Sequence, residues 1–205
     1  FRRVLFRSEE FCTIIADYND ANTDKKISWN GQYICRPGKE MPERLYPLMA
    51  RAGAHGLTIG AESGSDHVLQ VMNKKTNVDA LYYELHQFQK YGITCVLLTF
   101  VGHWAETHED FIDHCRMIVN VVPYVKSGTI SALSLGLTAA MLDGTPALSY
   151  VDNKSIITSD FNRDFIWYAK NNPTNTFKER VLRRLILHKL ARKLQIPITL
   201  SNGEV

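Results

Sequence analysis

A carboxylate and two hydroxyls stand directly after a short apolar run in the stretch GLTIGAESGSDHVLQVMNKK, residues 56–75. The run Leu57–Ile59 is typical of a buried strand, and it is followed by Glu62 and the small residues Ser63, Gly64 and Ser65. A helical pattern begins at once, so the free N–H groups and hydroxyls of this turn could bind a carboxylate or phosphate. Glu62 could bind an ammonium or a ribose hydroxyl. The alternative is that a serine caps the helix and Glu62 pairs with an arginine, and this stretch alone leaves both interpretations open.

The elements that would position these groups repeat along the chain. Apolar runs typical of strands begin near residues 27, 57, 93 and 129, and a helical pattern fills each gap. The run at 93–101 is apolar on both faces, as expected for a parallel sheet that helices cover on both sides. We therefore predict an α/β fold in which βα units build a parallel sheet.

Polar or glycine residues follow every predicted strand. Besides Glu62, they are Arg36 after the first strand, Gly102 and His103 after the third, and Thr138 after the fourth. In parallel βα architectures functional residues gather at the carboxyl ends of the strands, so we expect these residues to share one rim. His103 could be a proton donor or a substrate contact there, and an ordinary rim histidine is an equally good interpretation.

Three segments follow one another at the spacing of the βα units: GLTIGAESGSDHVLQVMNKK (56–75), LLTFVGHWAETHEDF (97–111) and LDGTPALSY (142–150). In this order they resemble the fourth-strand segment, the fifth-strand segment and the segment after the sixth strand of one family, the radical S-adenosylmethionine (SAM) enzymes. The resemblance covers residues 9–150 and is closest to the subgroup that often carries an upstream cobalamin-binding domain. It implies a partial (β/α)6 TIM-like barrel, of which about the last four βα units are present.

The resemblance also implies cofactors and site residues. The expected cofactors are SAM and a 4Fe–4S cluster, with cobalamin as a further candidate. By this resemblance Glu62, Ser63, Gly64 and Ser65 bind the amino-acid end or ribose of SAM, and Gly102 lets the next strand pass close to the adenine. Weaker candidates for cofactor or substrate binding are Arg36, His103 and Thr138.

The family's CxxxCxxC cluster motif does not occur in these 205 residues. We therefore expect an N-terminally truncated fragment, inactive by itself, whose partners are the upstream part of the same protein and a substrate that is either a small molecule or of unknown class. Two departures from the family pattern stand out: many members have Arg where His67 stands, which puts carboxylate binding there in question, and Phe-Pro is common where His103-Trp104 stand. The second departure indicates a distinct substrate class.

The sequence also admits other functions. A non-catalytic α/β domain that binds a nucleotide or phosphate through the same Ser-Gly-Ser turn is the main alternative. His108, Glu109 and His114 superficially resemble a zinc helix, but histidines six apart do not share a face as histidines four apart do, so we expect no metal site. The basic helix near 177–194 could contact RNA or an anionic partner, but a solvated basic face over the stripe Val181, Leu185, Leu190 and Leu194 is the simpler interpretation.

Composition sets the remaining expectations. Residues 1–8, FRRVLFRS, resemble the translation of a sequencing-library adapter, and without their three arginines the net charge falls from +3 to zero. We thus divide the chain into a non-native segment at 1–8, the partial barrel at 9–150 and a helical extension at 151–205. No apolar run approaches the roughly 20 residues of a membrane span. The four cysteines form no close pair, so a reducing cytoplasm is the expected location, with neither a membrane nor a nucleic acid as partner.

Overall fold

A computed structural model describes residues 2–36, 41–137, 156–158, 167–170 and 172–199. The helices are α1 (Arg2–Ala21), α2 (Leu45–Arg51), α3 (Asp66–Val71), α4 (Val78–Tyr91), α5 (His108–Asn120), α6 (Val122–Lys126) and α7 (Phe177–Lys193). The strands are β1 (Gln32–Tyr33), β2 (Leu57–Glu62), β3 (Cys95–Phe100), β4 (Ile130–Gly136), β5 (Ile156–Thr158), β6 (Trp167–Ala169) and β7 (Ile198–Thr199). None of the helices in these ranges is long and apolar enough to cross a membrane.

Five strands form one sheet in the order β1-β2-β3-β4-β7. Its edges are parallel pairs, with Gln32 opposite Thr58 and Leu133 opposite Ile198. Helices separate β1, β2, β3 and β4 along the chain, which confirms the predicted α/β class and the parallel sheet. A second sheet pairs β5 with β6 in antiparallel orientation. Strand β7 was not predicted, because it is only two residues long and directly follows Pro197.

The chain divides into two compact units, and the first comprises Phe1–Gly60, Lys75–Leu97 and Val121–Ala132. It contains α1, α2, α4, α6 and β1, with the amino-terminal parts of β2, β3 and β4. Its core includes a buried carboxylate, because Glu84 on α4 accepts hydrogen bonds of 2.7 Å from the hydroxyls of both Tyr33 and Tyr46. The first predicted strand is shorter than expected: of the run beginning at Ile27, only Gln32–Tyr33 pairs as a strand, and Trp29 forms an isolated bridge with Ala54.

The second unit comprises Ala61–Lys74, Leu98–Asn120 and Leu133–Val205. It contains the carboxyl ends of β2, β3 and β4 together with α3, α5 and α7, and α7 packs against α5. Its short helix α3 begins at the cap residue Ser65, whose side chain accepts a hydrogen bond from the N–H of Val68. Every strand end that carries the motifs at Glu62 and Gly102 therefore lies in this unit.

The prediction for the basic helix was wrong in its orientation. The buried residues of α7 are Arg180, Arg183, Leu187 and Ala191. Leu185, placed by the prediction on the apolar core-facing stripe, is 53% exposed. Arg180 and Arg183 face the interior because they have buried hydrogen-bond partners there: backbone carbonyl oxygens for Arg180 and the Glu106 carboxylate for Arg183.

Candidate functional site

Glu62, the last residue of β2, has a left-handed backbone conformation with φ of 61°. This conformation is strained for a residue with a side chain and would favour glycine. The Glu62 carboxylate lies 2.6 Å from Nζ of Lys74, and both side chains are partly exposed. From the sequence, the alternative to ligand binding was that Glu62 pairs with an arginine. In the structure Glu62 pairs instead with Lys74, which belongs to the same segment 56–75.

The hydroxyls of the Ser63–Ser65 turn bond within the protein. The N–H of Ser65 donates to Oγ of Ser63 over 3.1 Å, and Oγ of Ser65 accepts from the N–H of Val68 over 3.3 Å. Oγ of Ser65 also donates to Asp110 on α5 over 2.5 Å. Both serines are buried. The turn is thus built as a helix cap and a brace for Asp110, with its hydroxyls already engaged.

Gly64 brings the turn into close contact with α5. A Cβ atom at this position would lie 2.7 Å from Cβ of Met117 and 2.8 Å from the carbonyl oxygen of Asp113. Such distances are shorter than real Cβ contacts, so the turn could not approach α5 with any side chain here. In this structure the absence of a side chain at Gly64 allows the turn to pack against α5.

Asp110 joins the turn to an imidazole. Its carboxylate accepts from Oγ of Ser65, from the N–H and hydroxyl of Thr107, each over 2.8 Å, and from Nδ1 of His67 over 3.0 Å. Burial raises the pKa of Asp110, but these hydrogen bonds outweigh burial and hold the pKa below its usual value. The carboxylate is therefore ionised and accepts only. The His67 side chain is 53% exposed, so this pair reaches from the interior to the surface.

Gly102 begins the loop after β3, with φ of 83°. Its N–H donates to the carboxylate of Glu106, and Glu106 also pairs with the guanidinium of Arg183 over 2.9 Å. Burial raises the pKa of Glu106 more than the Gly102 N–H and the Arg183 charge lower it. A Cβ on Gly102 would overlap the side chain of Arg180. Glycine is thus required both by its backbone angle and by an arginine of α7.

Arg180 is fully buried and has no carboxylate partner among the described residues. Its guanidinium donates to the carbonyl oxygens of Trp167 and Asn175, and it stacks on the Trp167 ring at 4.1 Å from the ring centre. Burial lowers the pKa of Arg180 to about 10. Arg180 thus lies against Gly102, the residue that the family resemblance placed close to the adenine.

His103 is buried, and its ring lies 3.8 Å from that of Trp104, centre to centre. Nδ1 accepts from the N–H of Ala105 over 3.3 Å, so the proton of the neutral ring is on Nε2. That Nε2 has no hydrogen-bond partner within the described part of the chain. Burial, and then the nearby His67, lower the pKa of His103 to about 4. An unsatisfied buried donor beside His67 and Asp110 fits a site that takes a polar ligand.

Most of the predicted site residues belong to the second unit, with two exceptions. Glu62, Ser63, Gly64, Ser65, Gly102 and His103 all lie in the second unit. Arg36 is half-buried and belongs to the first unit, and Thr138 lies outside the described residues, as does the segment 142–150. Four further residues of this unit were not predicted as site residues from the sequence: Lys74, Asp110, Arg180 and Arg183. For Asp110 a signal existed, since Thr107 with an acid three residues later is a capping pattern.

The described cysteines do not fit an iron–sulfur cluster. Burial raises the pKa of the Cys12 thiol to about 11 and that of Cys95 to about 12, and it also raises the pKa of Cys35 and Cys115. A cluster is held by thiolates, which these environments disfavour. Among the residues that the structure describes, no group of three His, Cys, Asp or Glu side chains could hold a metal ion. His108 is exposed and His114 is buried, and neither nitrogen of His114 has a partner in this part of the chain.

Comparison with known proteins identifies similar folds. No protein-family model matches the sequence, and no curated protein matches it either. The radical SAM methyltransferase TsrM from Kitasatospora setae, solved with cobalamin and a 4Fe–4S cluster bound, is similar over 96% of this chain and 42% of its own, with a TM-score of 0.64 and 11% identity. TsrM with tryptophan substrate and a SAM analogue, aza-SAM, matches 87% of this chain and 40% of its own (TM-score 0.59, 12% identity).

A third similar structure is the cobalamin-dependent SAM radical enzyme OxsB with aqua-cobalamin and SAM bound. It matches 85% of this chain and 30% of its own, with a TM-score of 0.55 and 14% identity. These likenesses confirm the predicted resemblance to the radical SAM enzymes at the level of the fold. The chain spans less than half the length of each of these proteins.

Proposed function

We propose that this chain is part of a radical SAM enzyme and binds SAM beside Glu62, at the carboxyl end of β2. One observation carries the proposal: the motif that resembles the family's fourth-strand segment bends at Glu62 through a strained backbone angle. Strained angles persist where the surrounding structure over-determines them, and they concentrate at functional sites. A glycine here would remove the strain but would also remove the carboxylate.

The residues present fit the amino-acid end of SAM. The Glu62 carboxylate can accept hydrogen bonds from its ammonium, and Lys74, 2.6 Å from Glu62, can pair with its carboxylate. Both side chains are partly exposed, so a ligand can reach them. Ser65 and Gly64 support this site indirectly, because they fix the turn on α5. When bound next to a reduced cluster, SAM supplies the radical chemistry of the family, and the protein's share is binding and orientation.

The iron–sulfur cluster is assigned to cysteines outside these residues. We propose that the whole protein holds it with a CxxxCxxC motif and that this chain alone is inactive. One TsrM structure and the OxsB structure contain cobalamin, and TsrM is a methyltransferase, so cobalamin-dependent methyl transfer is the reaction we propose for the whole protein. A CxxxCxxC motif elsewhere in the same reading frame would support this assignment, and a complete frame without one would contradict it.

The alternative, a non-catalytic domain that binds a phosphate through the Ser-Gly-Ser turn, has less support from the geometry. Both serine hydroxyls already bond within the protein, and α3 has only six residues. A phosphate would have to displace the hydrogen bond between Ser65 and Asp110. Inorganic phosphate and SAM therefore serve as competing probes.

Calorimetric titration of SAM into the purified chain tests the proposal. Glu62→Gln keeps the size of the side chain and removes its charge, so it should weaken binding by about 10- to 150-fold, the equivalent of one charge-assisted hydrogen bond. Glu109→Gln is the matched control, because Glu109 is an exposed acid on α5. This variant should bind SAM with the same affinity as wild type. Equal affinity in Glu62→Gln, or binding of phosphate but not SAM, would defeat the proposal.

A further inference from the structure

His67 and Asp110 have the geometry of a carboxylate–imidazole pair that fixes one tautomer. The Asp110 carboxylate holds four hydrogen bonds, and its pKa lies below the usual value, so it can only accept from the imidazole. The proton between them must therefore be on Nδ1 of His67, over a distance of 3.0 Å. The other nitrogen, Nε2, then presents a lone pair on a side chain that is half-exposed.

Asp110 is held by more hydrogen bonds, and is more deeply buried, than a carboxylate in an ordinary surface ion pair. Ser65 and Thr107 hold the carboxylate from two different elements, the cap of α3 and the start of α5, and Asp110 is only 5% exposed. Surface pairs are mobile and contribute little to stability. A carboxylate fixed in this way orients an imidazole, as the buried aspartate does in hydrolase triads.

A second observation points to a polar ligand near this pair. The Nε2–H of the buried His103 has no hydrogen-bond partner in the described ranges, and His103 lies close enough to His67 and Asp110 for both groups to influence its pKa. A ligand that accepts a hydrogen bond from His103 would satisfy this donor. Unsatisfied buried donors are costly, and ligands are one way in which proteins satisfy them.

We propose that Nε2 of His67, with Asp110 as its positioning residue, accepts a proton from a substrate bearing an N–H or O–H group. The proton moves from the substrate heteroatom to Nε2, and the resulting imidazolium is balanced by the Asp110 carboxylate. The substrate's electron pair stays on its heteroatom, which becomes the better nucleophile. The proposal rests on the proposed function only in placing the substrate at the same strand ends as SAM.

The tautomer of His67 is the first test. Long-range nitrogen–proton spectra of the chain labelled with 15N-histidine should show its proton on Nδ1. His55 is the internal control, because its Nδ1 faces the hydroxyl of Thr94, which accepts from the N–H of Gly56 and can donate its own proton to that nitrogen. We expect His55 to carry its proton on Nε2. A spectrum that places the His67 proton on Nε2 would overturn the proposal, whether or not the chain binds SAM. This test needs only the wild-type chain and no variant.

The reactivity of Nε2 is the second test. Diethylpyrocarbonate modifies a neutral imidazole nitrogen that has a free lone pair, and peptide mass spectrometry reports the rate at each histidine. At pH 8, His67 should react about fivefold faster than His55, because the Asp110 carboxylate holds the His67 proton on Nδ1 and leaves the lone pair of Nε2 free. Asp110→Asn should remove this difference in rate. Equal rates for His67 and His55 in the wild-type chain would assign His67 a structural role. If the wild-type chain does not bind SAM but His67 still reacts faster than His55, the proposed function is wrong and this inference about His67 stands.

Discussion

The guanidinium of Arg183 lies 2.9 Å from the carboxylate of Glu106, and only 2% and 4% of these side chains are exposed. The same carboxylate accepts the N–H of Gly102, so one buried ion pair ties α7 to the loop that follows β3. Breaking a buried pair leaves an uncompensated charge, whereas replacing both partners avoids that cost. The loop after β3 therefore depends on a helix that lies far along the chain.

Arg183→Met should lower the free energy of unfolding by about 3–5 kcal/mol, because the buried Glu106 carboxylate then keeps backbone N–H partners, from Gly102 and His103, but loses its ion pair. Urea unfolding measures this change. Arg192→Met on the exposed face of the same helix is the control and should stay within about 0.5 kcal/mol of wild type. Adding Glu106→Leu to Arg183→Met should recover part of the loss. Equal costs for the Arg183 and Arg192 variants would mean that the pair contributes nothing.

Gly64→Ala should destabilise the protein by about 1–3 kcal/mol, because the new methyl group overlaps Met117 and the backbone of α5. Gly31→Ala is a matched control, since its nearest neighbour would be an atom of Trp29 at 3.9 Å. Thermal melting of both variants compares them directly. An unchanged melting temperature for Gly64→Ala would show that the turn can move away from α5.

Two buried histidines should make stability depend on pH. Burial lowers the pKa of His114 and of His103 to about 4, from an ordinary value of 6.5. The unfolded chain thus binds these protons first as the pH falls, so the contribution of each histidine is complete above pH 6.5 and is lost between 6.5 and 4. Each loss is about 3 kcal/mol.

Urea unfolding at several pH values between 7.5 and 4.5 measures this dependence. His114→Leu should flatten the curve, whereas His86→Gln, at an exposed position of α4, should leave its slope unchanged. Parallel curves for wild type and His114→Leu would contradict the assignment.

Glu62→Gly separates stability from binding. Glycine adopts φ of 61° freely, so the variant should gain about 1 kcal/mol of stability while its affinity for SAM falls. Gln195→Gly is matched in backbone angle, with φ of 59°, and lies just after α7. It should gain similar stability with no change in affinity. A Glu62→Gly variant that binds SAM as tightly as wild type would show that the strain serves no ligand.

Local sequence determined the main elements of this fold. Strands predicted near residues 57, 93 and 129 begin at Leu57, Cys95 and Ile130, and the helices between them were also expected. These elements were predictable because apolar periodicity reflects burial over a few neighbouring residues. The interpretation of Ser65 as a helix cap was equally local, since the capped N–H lies three residues away.

Tertiary structure decided which polar groups meet. Ser65 bonds to Asp110, 45 residues away, and Glu106 pairs with Arg183, 77 residues away. No periodicity could reveal these partners, because an arginine in a helical pattern indicates solvent unless a buried carboxylate lies opposite it. For this reason the basic helix was assigned the wrong face. The local pattern determined where the strands and helices lie, and the packing of distant segments determined which side chains are left to bind a ligand.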